Sequence, residues 1–192
     1  MSVAAKPPKS YLTAEEYLAI ERGSDVRSEY IDGEMVAMAG GSWEHSLIIG
    51  NMLAELKRQL RGGPCKVQAN DLRVQAADGL QTYPDVLVVC GEPAFVDEHR
   101  DIVTNPKLIV EVLSPTTESY DRGRKFESYR TIPSLEEYVL VAQERLHVER
   151  FLRQPEGTWL FAEVAGLQES VALSSIGCRL SLETLYEGVE LS

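Results

Sequence analysis

The chain has 192 residues, enough to bury a sizeable core in one domain. Its 44% hydrophobic and 26% charged residues are ordinary for a globular protein, and no apolar run reaches the roughly 18 residues of a membrane span. A net charge of −11 and a pI near 4.8 exclude a strongly basic nucleic-acid-binding surface taken as a whole.

The elements read as follows. Residues 1–10 form a loose arm, and 11–192 form a single domain. The opening MSVAAKPPKS has no apolar secretory core, which predicts a cytoplasmic protein. Cys65, Cys90 and Cys178 are scattered without a CxxC pair, so free buried thiols are expected. Thr13-Ala14-Glu15-Glu16 is a capping box that starts a helix at about Ala14. Strands over 28–31 and 34–38 flank Asp32-Gly33, a strong hairpin signal. Ser42 caps a second helix over 43–61, with Ile49, Met52, Leu53, Leu56 and Leu60 as its apolar stripe. Strands follow over 66–75, 82–90 and 107–113, then a helix within about 118–131 that must end before Pro133. Strands over 138–142, 147–153 and 159–164 lead to a short helix over 182–186, capped by Ser181. This order predicts an α/β fold, with a mixed β-sheet flanked by helices and an N-terminal helix and hairpin. Met35, Met38, Trp43, Phe126 and Trp159 are assigned to the core or a dimer contact. His99 and His147 stand without partners.

Two strands carry a carboxylate among apolar neighbours. Asp85 opens the run Tyr83-Pro84-Asp85-Val86-Leu87-Val88-Val89, and Glu111 interrupts Leu108-Ile109-Val110-Glu111-Val112-Leu113. Burying an unpaired carboxylate costs several kcal/mol, so each needs a partner, a metal or a shifted pKa. Asp85 shares a face with Leu87 and Val89, and Glu111 with Ile109 and Leu113. The two converge only where strand ends meet or where the strands are antiparallel. Together with Lys125, they are the candidate catalytic set. A pair of carboxylates suits Mg²⁺ or Mn²⁺, which keeps waters and takes phosphate oxygens into its shell. Such an ion acidifies a water and polarises a phosphate, while an ammonium offsets developing charge.

Other readings stay open for each residue. Asp85 after proline also suits a strand terminus, Glu111 an ion pair with Arg73 or Arg124, and Lys125 a solvated helix face. His45 lies four residues before Ile49 and suits core packing as well as a place near the site. Glu44, His45 and Glu29 are possible accessory residues. Residues 120–130 hold four basic residues against two acidic ones, a small footprint for narrow nucleic-acid contact. Ser114 lacks a nucleophile elbow, and no phosphate-cradling glycine loop is present.

These residues resemble one family. Ser28-Glu29-Tyr30-Ile31-Asp32-Gly33-Glu34, Glu44-His45, Tyr83-Pro84-Asp85-Val86, the stretch from Asn105 to Pro115, Asp121-Arg122-Gly123-Arg124-Lys125 with Tyr129, and Ile132-Pro133-Ser134-Leu135-Glu136-Glu137-Tyr138 are similar to the Uma2 family. That family is a branch of the PD-(D/E)xK nuclease superfamily. The resemblance implies a restriction-endonuclease-like fold and a metal-dependent nuclease site with Asp85 and Glu111 as metal ligands. DNA is the implied substrate. The superfamily's lysine, two residues after the acidic one, falls here on Leu113, and the resemblance implies that Lys125 takes its place. The alternative is a non-catalytic, oligomeric nuclease-fold protein acting in partner or nucleic-acid binding, a homodimer with the C-terminal strands as its contact surface.

Overall fold

In the computed structural model, residues 11–38 and 40–191 are described; the arm expected over 1–10 lies outside them. Helix α1 (Ala14–Glu21) begins where the capping box places it. The Thr13 hydroxyl accepts from the Glu16 amide at 3.2 Å, and the Glu16 carboxylate accepts from the Thr13 amide at 2.8 Å. Strands β1 (Ser28–Ile31) and β2 (Glu34–Ala37) pair through the two-residue turn Asp32-Gly33. Both turn residues have positive φ, 49° and 85°, as a primed hairpin turn requires. A side chain at Gly33 would also meet Tyr11 at 2.9 Å. Helix α2 (Trp43–Gln59) is capped by the Ser42 hydroxyl, which accepts from the His45 amide at 3.1 Å. It buries Ile48, Ile49, Met52 and Leu56.

The expected strands over 66–75 and 82–90 each divide in two. The first becomes β3 (Cys65–Ala69) and β4 (Arg73–Gln75), and the second becomes β5 (Gln81–Thr82) and β6 (Val86–Cys90). A short β7 (Ile102–Val103) follows, then β8 (Leu108–Leu113). The expected third helix is a composite of α3 (Glu118–Tyr120), a π-helical turn (Asp121–Lys125) and α4 (Phe126–Tyr129). The chain closes with β9 (Glu137–Ala142), β10 (His147–Arg153), β11 (Trp159–Ala165), β12 (Ser170–Leu173), β13 (Cys178–Ser181) and α5 (Leu182–Leu185). The β12–β13 hairpin has no counterpart in the expected elements.

Among the described residues the strands form two main sheets where one was expected. The orders are β2-β1-β5-β4-β7 and β11-β10-β9-β8-β6-β3, with β12-β13 as a separate hairpin. The chain changes sheet between Thr82 and Val86. Pro84 lies at this point; it has no amide to give a ladder and holds the residue before it extended. Asp85 therefore sits at the corner where one sheet hands over to the other.

In the larger sheet β6 and β8 are antiparallel and β8 and β9 parallel. Val86, Val88, Leu108, Val110 and Val112 pack towards α2 and the β12–β13 hairpin. Leu87, Val89, Ile109 and Leu113 pack on the other face with Tyr129, Leu135 and Tyr138. Strand β8 is buried along its whole length. Its five apolar side chains each contribute about 1.5–3 kcal/mol on burial, which a buried Glu111 without a partner would largely offset.

Two further expectations need correction. Cys65 and Cys90 are a registered pair across β3 and β6 and are joined as a disulfide; only Cys178 is a free, buried thiol. Their separation of 25 residues hides a proximity that exists only once the two strands pair. Thiol titration of the unfolded protein without reductant should find one reactive cysteine, and three after reduction; three at the outset would contradict the cross-link. Of the residues assigned to the core or a dimer contact, Phe126 and Trp159 pack against the core, and Trp43, 75% exposed, does not. His147 is not isolated: its ring lies 3.3 Å from Glu163 and 3.6 Å from Glu149. Among the described residues no helix is long and apolar enough to cross a membrane.

Candidate active site

The β6–β8 register brings the two suspect carboxylates together. Val86 opposes Val110, so the next step along both strands sets Asp85 beside Glu111. The Val112 amide donates to Asp85 Oδ2 at 2.7 Å, and the Asp85 amide donates a long bond, 3.4 Å, to Glu111 Oε2. Glu111 is 2% exposed and Asp85 is partly buried.

Lys125 arrives from the π-helical turn. Its Nζ lies 3.2 Å from Glu111 Oε1, 3.1 Å from Asp121 Oδ1 and 3.4 Å from Glu29 Oε1. All four residues are buried. A π turn is wider than an α turn and recurs at functional sites. Here it holds Asp121 and Lys125 inward together. Neither Arg73 nor Arg124 reaches Glu111: Arg73 pairs with Asp101, and Arg124 with Asp32, Asp78 and Glu127.

Of the three accessory candidates, two join the cluster. Glu29 comes from β1 and touches Lys125, and its Oε1 also accepts from the Tyr83 amide at 3.4 Å. His45 Nε2 lies 3.3 Å from Asp85 Oδ2. A Cβ on Gly41 would come within 2.8 Å of the His45 ring, so that glycine leaves room for it. Glu44 lies one residue away on α2 and has no ion pair or side-chain hydrogen bond with any described residue.

The site also contains three residues outside the candidate set, Asp121, Tyr129 and Thr82. Asp121 adds a fourth carboxylate. The Tyr129 hydroxyl donates to Glu111 Oε1 at 2.8 Å and is itself 2.7 Å from Thr82 Oγ1. Asp121 and Tyr129 had a signal, the four-residue spacing either side of Lys125. Thr82 had none.

Charge is unbalanced here. Among the described residues Glu29, Glu111 and Asp121 share one permanent cation, Lys125, and Asp85 faces the His45 ring. Burial pushes the Glu111 carboxyl well above its ordinary range; Lys125 opposes this, while Asp121, Asp85 and Glu29 reinforce it. Burial pulls the Lys125 ammonium down, but Glu111, Glu29 and Asp121 outweigh that and hold it well above its usual range. Burial likewise lowers His45, and its bond to Asp85 more than reverses the effect.

The donor set fits a hard divalent cation. Glu111 Oε1 is committed to Lys125 and Tyr129, and Asp85 Oδ2 to Val112 and His45. Glu111 Oε2 takes only the long bond from Asp85, and Asp85 Oδ1 takes none from the described residues. Two carboxylate oxygens on adjacent strands are thus left open. Among the described residues no group of three or more His, Cys, Asp or Glu is arranged to hold a metal ion. A site of two protein oxygens completed by water and phosphate is the coordination habit of Mg²⁺.

The basic footprint expected over 120–130 is largely neutralised. Arg122 pairs with Glu118 and Glu149, Arg124 with three acidic residues, and Lys125 is buried; Arg130 stacks over Phe126. Acidic residues distant in sequence supply most of these partners, which local composition could not reveal.

A mixed sheet with paired carboxylates at the β6–β8 corner and a lysine from the following helix defines a nuclease-like α/β fold. The structure superposes with a TM-score of 0.76 on a protein from Anabaena variabilis described as "a putative nuclease belonging to DUF820", covering 93% of this chain and 99% of that one at 18% identity. The chain belongs to the Uma2 family, whose model, described as "Putative restriction endonuclease", matches residues 14–183. It is also 36% identical to the uncharacterized protein slr1290 of Synechocystis sp. over 98% of this chain and 97% of that protein. A second protein of the same organism, sll1609, is 37% identical over 85% of this chain and 93% of its own length.

Proposed function

We propose that this chain is a metal-dependent endonuclease that hydrolyses phosphodiester bonds in DNA, with Mg²⁺ or Mn²⁺ as cofactor. One observation supports it above the others: Asp85 and Glu111 meet across an antiparallel pair, each with one oxygen left open, beside a buried ammonium. Asp85 and Glu111 would hold the cation, which when bound supplies a Lewis acid and an acidified water. Val112 and His45 fix the orientation of Asp85. Lys125 keeps the excess carboxylates together and sets a positive charge where phosphate charge would build. Cation binding must displace the proton that Glu111 holds tightly, so affinity should tighten as pH rises.

A second reading has observations of its own. Two of the three arginines of the expected footprint, Arg122 and Arg124, are paired, and the net charge is −11. Strand β11 is also an unpaired edge that exposes Leu160 and Phe161 by 52% and 49%. A long apolar edge strand invites pairing with another chain. On this reading the nuclease fold serves a homodimer or another assembly without catalysis.

The test is cleavage of DNA and RNA at low salt with Mg²⁺ or Mn²⁺, with calorimetric titration of the same ions. The proposal expects metal-dependent cleavage of DNA that Asp85→Ala abolishes while the circular dichroism spectrum is unchanged. Absence of both cleavage and metal binding, with a dimeric mass in solution, would support the second reading.

A further inference from the structure

We propose that Tyr129, held by Thr82, is a positioning residue that decides which oxygen of Glu111 is open to a metal ion. The inference rests on the metal-dependent reading of the site. Tyr129 is fully buried, and its ring packs edge-on against Tyr138 at 5.5 Å between centroids. A phenol has one proton to donate, and Glu111 in the ionised form that a metal ion requires has none. The 2.8 Å bond from Tyr129 to Glu111 Oε1 therefore uses that proton. The 2.7 Å contact to Thr82 must then run the other way, from the threonine hydroxyl to the phenol oxygen. Thr82 is also fully buried, so the pair forms a one-directional relay from β5 through α4 to the carboxylate on β8.

The relay has a geometric consequence. Glu111 Oε1 already receives Lys125, and with Tyr129 added both acceptor directions of that oxygen are in use. Rotating the carboxylate to present Oε1 towards Asp85 would break two hydrogen bonds within the buried core. Oε2 is therefore the oxygen left on the Asp85 side. Partners of this kind orient a ligand, and losing one typically weakens metal affinity by roughly 10–100-fold.

Calorimetric titration with Mn²⁺ of the wild-type chain, Tyr129→Phe and Thr82→Val tests this. Phenylalanine keeps the ring packing and removes one oxygen; valine keeps the shape of threonine and removes its hydroxyl. The expected result is an affinity about tenfold weaker in Tyr129→Phe, a smaller loss in Thr82→Val, and Mn²⁺-dependent cleavage saturating at correspondingly higher metal concentration. Thermal melting without metal checks that both variants fold. If Tyr129→Phe does not fold, Thr82→Val alone carries the test, because it leaves the phenol in place but unties it. Mn²⁺ affinities equal to wild type in the folded variants would overturn the role of Tyr129 while leaving the nuclease reading intact. No binding by the wild-type chain would overturn both.

Discussion

Lys125→Met should unfold the protein near neutral pH and leave it folded in mild acid. The ammonium lies within 3.4 Å of Glu29, Glu111 and Asp121, all buried, and no other lysine or arginine among the described residues pairs with them. Removing one member of a buried ion pair costs about 3–5 kcal/mol, because the other charge is left without a partner. Three carboxylates share the loss here, and a domain has only about 5–15 kcal/mol in total. The sign with pH follows from burial. Without the lysine, burial raises the Glu111 carboxyl unopposed by the neighbouring cation. Its contribution to stability is complete below the unfolded value near 4.5 and is lost as pH rises through the raised folded value. Urea denaturation at pH 5 and pH 8 measures the difference. Equal stability of the variant and the wild type at pH 8 would mean that the ammonium is not what holds the cluster together.

The opposite substitution should stabilise. Glu111→Gln is expected to melt at a higher temperature than wild type at pH 8 without metal, and to bind no Mn²⁺ and cleave nothing. In the wild type burial raises the Glu111 pKa, aided by Asp121, Asp85 and Glu29 and opposed by Lys125. That contribution to stability is therefore present below about pH 4.5 and diminishes as pH rises through the raised value. Glutamine keeps the neutral form at every pH and leaves Lys125 with Glu29 and Asp121. The change to resolve is about 1 kcal/mol, the usual size of a single-residue effect. In a chain of this size that is a few degrees in melting temperature. Metal affinity, by contrast, should fall by more than the roughly 10–100-fold that loss of a supporting partner costs. Gains in stability on removing a charged group are a mark of sites kept for function. A variant that melts lower than wild type at pH 8 would show that Glu111 serves the fold.

The two substitutions probe one imbalance from opposite sides. Among the described residues three carboxylates surround one lysine, and Asp85 beside them faces His45, so acidic groups outnumber permanent cations in the cluster.

Much of this protein is written locally in the chain. The capping box at Thr13, the Asp32-Gly33 turn and the Ser42 and Ser181 caps each need only neighbouring residues, and each forms where expected. The anomaly of Glu111 in an apolar run is equally local, and with Asp85 and Lys125 it marked the candidate site before any coordinates. What the tertiary structure decided depends on which strands pair and in what register. That register joins Cys65 to Cys90, sets Asp85 opposite Glu111, and places Thr82 against Tyr129 from 47 residues away. It also spends Arg122 and Arg124 on acidic residues far along the chain, and so removes a footprint that composition suggested. The physical reason is that caps and turns satisfy backbone groups within a few residues. Buried charges must find their partners across the core, and only packing determines which ones they meet.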